Sequence, residues 1–277
     1  MVFLNGKFIE KDKASISVMD RGFLFGDGVY EVIPVYNGKI FRLHQHLKRL
    51  QNSLDSVKIN NPYNDKKWGE ILNKLTKLHS NNPQSIYLQI TRGVDVERKH
   101  SFNNLNPTVY IQSSPLKPKT KQELISGYNA ISSEDIRWNR CDIKSTSLLA
   151  NIMYSQKAKE NNVEEVILHQ NQQITEGATS NVFMLKNKTL FTHPIDNHIL
   201  SGITRDLVIE SASSCNISIK EVAFSIKDML SADELWISSS TREIMPIVKV
   251  DNNLINNGNV GTTWECVYDN YQKLKNA

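Results

Sequence analysis

Apolar and polar positions near the start of the chain are organised around two Asn-Gly dipeptides. Asn5-Gly6 joins MVFL to KFIE, and Asn37-Gly38 joins VYEVIPVY to KIFRL. Asn-Gly between strand-like runs is the strongest short-range signal of a β-hairpin, because both residues readily adopt positive φ. The pattern therefore predicts two hairpins.

Two later stretches space their apolar residues three and four positions apart, which places those residues on one face of a helix. In the first stretch they are Leu43, Leu47, Leu50, Leu54 and Val57. In the second stretch they are Trp68, Ile71, Leu72, Leu75 and Leu78. SIYLQITRG follows and has the apolar, β-branched character of a buried strand. The first half is therefore predicted to contain strands and two helices.

A change of composition after this first half indicates a domain boundary. The segment SSPLKPKTK concentrates Ser, Pro and Lys without periodicity, as interdomain linkers do. Beyond it, a helix is predicted over residues 148–161, and EVILHQNQQITEGATSNVFMLKNKTLFTH is typical of successive strands joined by polar turns. We therefore predict an α+β protein with a small α/β domain over residues 1–118 and a larger strand-rich domain over residues 119–277.

Charge and cysteine content exclude several classes of protein. The net charge of +4 comes from 33 basic and 29 acidic residues scattered along the chain, whereas nucleic-acid binding needs a basic block or stripe. Cys141, Cys215 and Cys266 are odd in number and widely spaced, so we expect neither a disulfide framework nor a zinc site. No segment approaches the roughly 20 apolar residues of a membrane span, and no targeting segment is recognised. We expect a cytoplasmic protein without metal, nucleic-acid or membrane partners.

Lys144 and Glu176 are candidates for chemistry. Lys144 lies in the strand-like RCDIKSTS, and a lysine in a low-dielectric site becomes an amine nucleophile able to form a Schiff base with an aldehyde cofactor. Glu176 in ITEGATSNVF is a suitable partner, because a carboxylate beside a pyridine nitrogen keeps that nitrogen protonated. Each residue alone also fits an ordinary interpretation, a solvated surface lysine and a glutamate in a hairpin turn.

Two segments are candidates for binding a phosphate. LSGITRDLVIE begins a helix near Gly202, and the free N–H groups of a helix start favour an anion at Ile203 and Thr204. SSSTRE, at 238–243, adds hydroxyl groups at the end of a predicted strand, and Arg49 is a candidate for a charge-assisted contact. Ordinary helix capping explains Gly-Ile-Thr equally well, so neither segment identifies a phosphate site by itself.

Six segments together resemble the class IV aminotransferases, which have fold type IV and use pyridoxal 5′-phosphate. The segments are DRGFLFGDGVYEV, LKRL, EDIRWNRCDIKS, ITEGATSNVF, LSGITRD and SSSTREIMP. They occur in the family's order and extend over nearly the whole chain. The resemblance implies that the larger domain is a pseudobarrel, that the two domains enclose the cofactor, and that the active unit is a homodimer.

The resemblance also implies roles for individual residues. Lys144 holds the cofactor as a Schiff base and moves the substrate proton, Glu176 binds the pyridine nitrogen, and Leu200 packs against the ring. The residues implied to hold the phosphate are Arg49, Ile203, Thr204, Ser240 and Thr241.

Tyr30, Arg98 and His100 indicate the substrate class. An Arg-x-His pair is usually a surface feature, but ITRGVDVERKHSF resembles the D-amino-acid aminotransferase branch, in which these three residue types bind the substrate carboxylate. The resemblance therefore implies transamination between D-amino acids and 2-oxo acids such as 2-oxoglutarate. Two departures from that branch are a longer interval between Gly93 and Arg98, and Arg242 in place of a small or polar residue.

Alternative functions remain open on the same fold. Branched-chain L-amino-acid aminotransferases and aminodeoxychorismate lyases belong to the family, although both generally receive the substrate with residues other than Arg-x-His. A catalytically silent binding protein is expected to lack Lys144 or Glu176, and both are present. The dispersed charge disfavours a basic RNA-binding or scaffolding protein.

Overall fold

The computed structural model describes residues 1–79 and 82–276, and it confirms the predicted α+β class. The chain divides into two units, which are described separately. The N-terminal unit comprises Met1–Lys117 together with Ile143–Leu148. The C-terminal unit comprises Pro118–Asp142 together with Leu149–Ala277.

In its described residues, the N-terminal unit contains one sheet and three α-helices. Its strands are β1 (Val2–Leu4), β2 (Lys7–Ile9), β3 (Gly28–Tyr36), β4 (Lys39–Ile40), β5 (Gln84–Thr91) and β6 (Thr108–Pro115). Its helices are α1 (Arg21–Phe25), α2 (Leu43–Ser56) and α3 (Asp65–Lys77), with a short 3-10 helix at Lys11–Lys13. The strand order is β2-β1-β6-β5-β3-β4, and all of these neighbours pair antiparallel.

Both predicted hairpins are confirmed. Asn5 and Gly6 have φ angles of 45° and 90° in the turn between β1 and β2. Asn37 and Gly38 have φ angles of 51° and 74° in the turn between β3 and β4. Positive φ at both central residues is the geometry that Asn-Gly favours in a two-residue hairpin.

The two predicted helices pack their apolar faces into the core of the N-terminal unit. The buried residues of these faces are Leu47, Leu50 and Leu54 of α2, and Trp68, Ile71, Leu72 and Leu75 of α3. Leu78 was assigned to the same face, but its side chain is 46% exposed. The reason is that α3 ends at Lys77, so Leu78 follows the last helical turn.

The segment Ile143–Leu148 belongs to the N-terminal unit, whereas the sequence predicts that Lys144 lies in the second domain, residues 119–277. The cause is a set of long-range backbone contacts that local sequence does not encode. Ser145 forms an isolated bridge with Val29, and the N–H of Thr146 donates to the carbonyl of Gly28 at 2.9 Å. Ile143 joins the apolar core of this unit. The division after Lys117 lies one residue from the predicted boundary.

The C-terminal unit contains nine strands and five α-helices among the residues described. Its strands are β7 (Tyr128–Glu134), β8 (Glu165–Gln170), β9 (Gln173–Gly177), β10 (Asn181–Lys186), β11 (Thr189–Thr192), β12 (Ser218–Glu221), β13 (Glu234–Ser239), β14 (Glu243–Val250) and β15 (Asn253–Leu254). Its helices are α4 (Lys121–Leu124), α5 (Leu149–Glu160), α6 (Ile203–Ser213), α7 (Ile226–Leu230) and α8 (Thr262–Asn276), with a 3-10 helix at Asn256–Gly258.

The strands of the C-terminal unit form one mixed sheet in the order β12-β11-β10-β13-β14-β7-β8-β9, with β15 paired to β14. Strands β8, β10, β13 and β14 are buried along most of their length, which matches the continuous apolar runs in their sequences. Helix α5 agrees with the helix predicted over residues 148–161. The candidate site residues of this unit lie at the end of β9, at the start of α6 and just before it, and in the turn between β13 and β14.

Cys215 and Cys266 form a disulfide, so the expectation of no disulfide is wrong for this pair. The two cysteines are 51 positions apart, and packing of α6 against α8 brings them together. The spacing rules that apply to small disulfide-rich domains do not detect such a pair. Cys141 is reduced and partly exposed.

Neither a membrane-spanning helix nor a metal-binding group is present in the chain outside residues 80, 81 and 277. No helix there is long and apolar enough to cross a membrane. No group of three or more His, Cys, Asp or Glu side chains in the same part of the chain is arranged to hold a metal ion.

Candidate active site

Lys144 is fixed beside β3 in the N-terminal unit. Its carbonyl accepts a hydrogen bond from the N–H of Tyr30 at 2.9 Å, and its own N–H donates to Oγ of Ser53 at 3.2 Å. The Nζ atom lies 4.4 Å from the centre of the Tyr30 ring. The structure thus brings together two residues selected from the sequence, the proposed cofactor lysine and the proposed substrate tyrosine.

Arg49 lies on the buried side of α2 and is paired with a buried carboxylate. Its Nε and Nη2 donate to the two oxygens of Glu31, each at 2.8 Å, and Nδ1 of His46 lies 2.7 Å from Glu31 Oε2. Burial raises the pKa of Glu31, but the charge of Arg49 and hydrogen bonds from Arg49 and His46 outweigh it, so this pKa lies well below its ordinary value. Arg49 is therefore held by a carboxylate that stays ionised at neutral pH.

Arg98 and His100 lie on the loop between β5 and β6, and both side chains are exposed. The guanidinium carbon of Arg98 is 5.0 Å from the centre of the Phe25 ring, and the ring centres of His100 and Phe25 are 5.5 Å apart. The pair predicted to bind a carboxylate is thus gathered around one aromatic ring at the end of α1. Tyr30 is described separately, beside Lys144.

Glu176 is buried at the end of β9 in the C-terminal unit, with 5% of its surface exposed. Its Oε1 accepts a hydrogen bond from Nη1 of Arg137 at 2.5 Å. Its Oε2 accepts hydrogen bonds from the N–H of Leu200 at 3.0 Å and from Nδ2 of Asn181 at 3.2 Å. Burial raises the pKa of Glu176, and the Arg137 charge acts in the opposite direction.

Asn181 connects Glu176 to the segment that enters α6. Its Nδ2 donates both to Glu176 and to the carbonyl of Leu200, the latter at 2.9 Å. A Cβ atom at Gly202 would lie 2.0 Å from Oδ1 of Asn181, so only glycine fits at this position. Gly202 is the N-cap of α6 and offers no side chain to the first amide groups of the helix. Ile203 and Thr204 therefore begin a helix without a side-chain cap, as an anion site requires.

These residues fit a molecule that carries a ring nitrogen and a phosphate. A carboxylate has about four acceptor positions, and three donors from the described residues occupy Glu176, which leaves about one for a ring N–H. Leu200 and Ile203 are three residues apart, so their α-carbons lie within about 11 Å of each other. Pyridoxal 5′-phosphate has both groups within one small molecule, so the donors present agree with the cofactor implied by the sequence.

A buried hydroxyl on the neighbouring strand supports this fit. Ser238 of β13 lies directly opposite Asn181 of β10, so both side chains project from the same face of the sheet. The Ser238 Oγ is buried and has no hydrogen-bond partner among the residues described. Buried hydroxyl groups normally have a partner, so this oxygen is available to a bound molecule.

Ser240 and Thr241 lie in the turn between β13 and β14, next to Arg242. Nη2 of Arg242 donates to Oε2 of Glu165 at 2.6 Å and to Oγ1 of Thr179 at 2.7 Å. Glu165 is 2% exposed, so the pair is largely removed from water. The guanidinium that departs from the family pattern is therefore engaged by a buried carboxylate of the same unit.

Sequence reasoning missed the partners that hold the selected residues. Glu31, Arg137 and Asn181 all lie inside the quoted motifs, at VYEV, EDIRW and TSNVF, but no role was assigned to them. Each acts on a residue at a distance in sequence that no periodicity reveals. One signal could have identified these partners: each is an ionisable or amide side chain inside a motif whose other residues had assigned roles.

Comparisons with known proteins show the family to which the chain belongs. The model of the family described as Amino-transferase class IV matches residues 28–250. A D-alanine aminotransferase of Listeria monocytogenes is 40% identical over 262 residues, which cover 94% of this chain and 91% of the relative. A D-alanine aminotransferase of Staphylococcus aureus is 38% identical over 274 residues, which cover 98% of this chain and 96% of the relative.

Solved structures of similar fold include branched-chain aminotransferases. The enzyme from Escherichia coli is 25% identical, with a TM-score of 0.89 over 99% of this chain and 93% of the other. The enzyme from Thermoproteus uzoniensis, solved with norvaline, is 22% identical, with a TM-score of 0.88 over 99% of this chain and 94% of the other. A further branched-chain aminotransferase, solved with pyridoxamine 5′-phosphate, is 20% identical, with a TM-score of 0.91 over 99% of this chain and 94% of the other.

Proposed function

Because the chain belongs to the class IV aminotransferase family, we propose that it transfers amino groups from D-amino acids to 2-oxo acids with pyridoxal 5′-phosphate as cofactor. The observation that carries the proposal is Glu176, a buried carboxylate tied through Asn181 and Leu200 to the uncapped start of α6. It gives one unit both a partner for a ring nitrogen and a site for a phosphate.

In this proposal, different residues of the chain bind the ring and the phosphate of the cofactor. Bound pyridoxal phosphate supplies an electron-withdrawing ring that stabilises negative charge on the substrate α-carbon. Glu176 keeps the ring nitrogen protonated, and Leu200 packs against the ring. The phosphate is held by the N–H groups at Ile203 and Thr204, the hydroxyls of Ser240 and Thr241, and the guanidinium of Arg49.

Lys144 has two tasks in the proposed reaction. Its amine would hold the cofactor through the aldehyde group. As a base, Nζ would take the proton from the substrate α-carbon, and as an acid it would deliver that proton to C4′ of the cofactor. The backbone bonds to Tyr30 and Ser53 support this role, because they fix where the lysine side chain begins.

The proposed preference for D-amino acids rests on Tyr30, Arg98 and His100. These residues bind the substrate carboxylate, and the position of the carboxylate decides which face of the α-carbon meets Lys144. The relatives named D-alanine aminotransferases support D-alanine as a donor, and the acceptor in this proposal is a 2-oxo acid such as 2-oxoglutarate. A second substrate then reverses the half-reaction, so the kinetics should be ping-pong.

Two further parts of the proposal rest on the resemblance and composition alone. We include a homodimer as the active unit and the cytoplasm as the location. The disulfide between Cys215 and Cys266 is the feature that argues against a reducing compartment, because disulfides are rare there.

Branched-chain L-amino-acid transamination is the second candidate. The observation in its favour is the fold similarity to branched-chain aminotransferases, with TM-scores up to 0.91. Fold does not determine the substrate, and these structures are 20% to 25% identical to this chain, against 37% to 40% for the D-alanine aminotransferases. The sequence relatives therefore favour D-amino acids.

An absorbance experiment separates the two candidates. The purified protein, saturated with pyridoxal phosphate, is mixed separately with D-alanine, L-alanine and L-leucine. We expect D-alanine alone to convert the pyridoxal absorption into that of pyridoxamine phosphate and to give pyruvate. If L-leucine alone converts the cofactor, the proposed preference for D-amino acids is wrong. If the protein shows no absorption from bound cofactor, the proposed aminotransferase activity is wrong. Lys144→Ala is the control, since it should bind cofactor without producing pyruvate.

A further inference from the structure

Arg21, in the DRGFLFGDGVYEV motif, holds the loop that carries Arg98 and His100. Its side chain is buried, with 4% exposed, and its Nη1 donates to the carbonyl of Lys99 at 2.7 Å. Its Nη2 donates to the carbonyl of His100 at 3.0 Å. One guanidinium thus binds the backbone on both sides of the peptide bond that links Lys99 to His100.

The same residue also holds the beginning of this loop. The backbone N–H of Arg21 donates to the carbonyl of Gly93 at 2.9 Å. The neighbouring Asp20 forms an isolated bridge with Val94 and caps α1 by accepting the N–H of Gly22. Arg21 therefore fixes both ends of the segment from Gly93 to His100, the segment whose length departs from the D-amino-acid branch.

Asp27 connects this clamp to the strand that carries Tyr30. Its Oδ2 accepts a hydrogen bond from Nε of Arg21 at 2.8 Å, and its two oxygens accept from Nη2 and Nε of Arg92 at 2.9 and 2.7 Å. Asp27 lies three residues before Tyr30, at the start of β3. A single carboxylate therefore joins the loop of Arg98 and His100 to the strand of Tyr30.

Arg92 anchors the cluster to the body of the N-terminal unit. Its Nη2 donates to the carbonyl of Val57 at 2.7 Å, and its Nη1 donates to that of Lys58 at 2.9 Å. The ring of Phe102 covers its guanidinium at 3.6 Å. The loop is thus attached to the end of α2 through two buried guanidinium groups, those of Arg21 and Arg92.

We infer that Arg21 is a positioning residue for the substrate carboxylate, acting with Asp27 and Arg92 to aim Arg98, His100 and Tyr30. This inference rests on the proposed function. Arg98 and His100 both contact the ring of Phe25, and Arg21 fixes the backbone from which their side chains extend. A guanidinium reaches two carbonyls and one carboxylate at once because its donors form a planar fork, and a lysine at this position cannot.

The test is Arg21→Lys, with Arg140→Lys as the matched control. Arg140 also makes a two-point pair with a carboxylate, Asp142, but it is exposed and donates to no carbonyl among the described residues. A misplacement of about 1 Å at a binding group costs up to roughly a hundredfold. We expect Arg21→Lys to raise KM for D-alanine roughly ten- to a hundredfold, with kcat changed less than about threefold and the cofactor absorption unchanged.

D-Alaninol, which lacks the carboxylate, distinguishes positioning from general damage. Arg21→Lys should react with D-alaninol at the wild-type rate, whereas a structural defect lowers the rates with both substrates. The Arg21→Lys and Arg98→Lys changes should also combine less than additively, because the first acts through the second. Wild-type KM for D-alanine in Arg21→Lys, or equal losses with both substrates, overturns the inference.

A second variant keeps the inference testable if Arg21→Lys folds poorly. Phe102→Leu removes the ring over Arg92 at an exposed position, and we expect a smaller rise of KM for D-alanine alone. An unchanged KM in Phe102→Leu then overturns the inference.

The two proposals fail separately. A wild-type protein that is inactive on D-amino acids refutes the proposed function and this inference with it. A wild-type protein that is active, with no effect of Arg21→Lys on KM for D-alanine, refutes this inference alone.

Discussion

Glu31 and Arg49 form a two-point ion pair in which each carboxylate oxygen accepts one guanidinium N–H at 2.8 Å, and Glu31 is completely buried. Such pairs fix a guanidinium in one plane and one direction. Because Arg49 is a proposed phosphate ligand, Glu31 presets its orientation before any cofactor binds.

Glu31→Gln should therefore weaken both the fold and cofactor binding. Breaking a buried pair leaves an uncompensated charge, and we expect the free energy of unfolding to fall by about 3 kcal/mol. The dissociation constant for pyridoxal phosphate should rise about tenfold, the equivalent of about 1.4 kcal/mol. Urea unfolding and a fluorescence titration measure the two effects. Asp55→Asn, an exposed carboxylate on the same helix, serves as the control, and equal behaviour of the two variants contradicts this role of Glu31.

The same pair predicts a loss of stability in acid. The pKa of Glu31 is lowered in the folded state from an ordinary value of 4.5. Its contribution is thus fully present above about pH 4.5 and is lost as the pH falls from there toward the folded-state pKa. The free energy of unfolding of the wild type, measured from pH 7 to pH 3, should fall more steeply below pH 4.5 than that of Glu31→Gln. Parallel curves would falsify this assignment.

Arg137→Gln should shift the pH dependence of activity. Burial raises the pKa of Glu176 and Arg137 opposes that effect, so removing the cation raises this pKa further. Since the proposed role of Glu176 requires a carboxylate, the acid limb of the kcat/KM profile should move to higher pH. Arg140→Gln, which changes an exposed guanidinium three residues away, is expected to leave the limb in place. A shift to lower pH in Arg137→Gln contradicts the proposed role.

Arg242→Thr restores a small polar residue but should destabilise the protein. It removes the cationic partner of Glu165, which is buried, so we expect a loss of about 3 kcal/mol in the free energy of unfolding. Adding Glu165→Gln removes the stranded charge and should recover part of that loss. The measurement is a double-mutant cycle in urea, and strictly additive effects show that the pair is not coupled.

The disulfide predicts sensitivity to reductant. A cross-link between residues 51 positions apart stabilises by about 2 to 4 kcal/mol. Replacing Cys215 and Cys266 by alanine should therefore lower the free energy of unfolding by that amount, whereas Cys141→Ser should leave it unchanged. Intact mass before and after reductant checks the bond directly. Identical unfolding of the wild type with and without reductant shows that the bond does not form.

Local pattern predicted the elements that local forces decide. The turns at Asn5-Gly6 and Asn37-Gly38 follow from the φ preferences of those residues, and α2 and α3 follow from apolar spacing. The predicted end of α3 was one residue too late. Leu78 continues the apolar spacing, but the helix itself ends at Lys77.

The sequence predicted the residues of the candidate site, but it did not predict the side chains that hold those residues in place. Motif resemblance selected Glu176 and Arg98, yet the groups that hold them, Arg137 and Arg21, meet them only after folding over 39 and more residues. Lys144 was assigned to the second domain for the same reason, since its contacts with Tyr30 and Ser53 join distant parts of the chain. Single-sequence spacing contains no information on such pairs.

The placement of Ile143–Leu148 in the N-terminal unit has a consequence for biosynthesis. A ribosome that has released residues 1–117 has not yet supplied Ile143 to the apolar core, nor the backbone partners of Gly28 and Tyr30. The first-made part of the chain therefore completes its packing only after residue 148 has emerged. A gene fragment cut at residue 118 encodes a polypeptide with a gap in its interior, and co-expression of the remaining fragment should be needed to fill it.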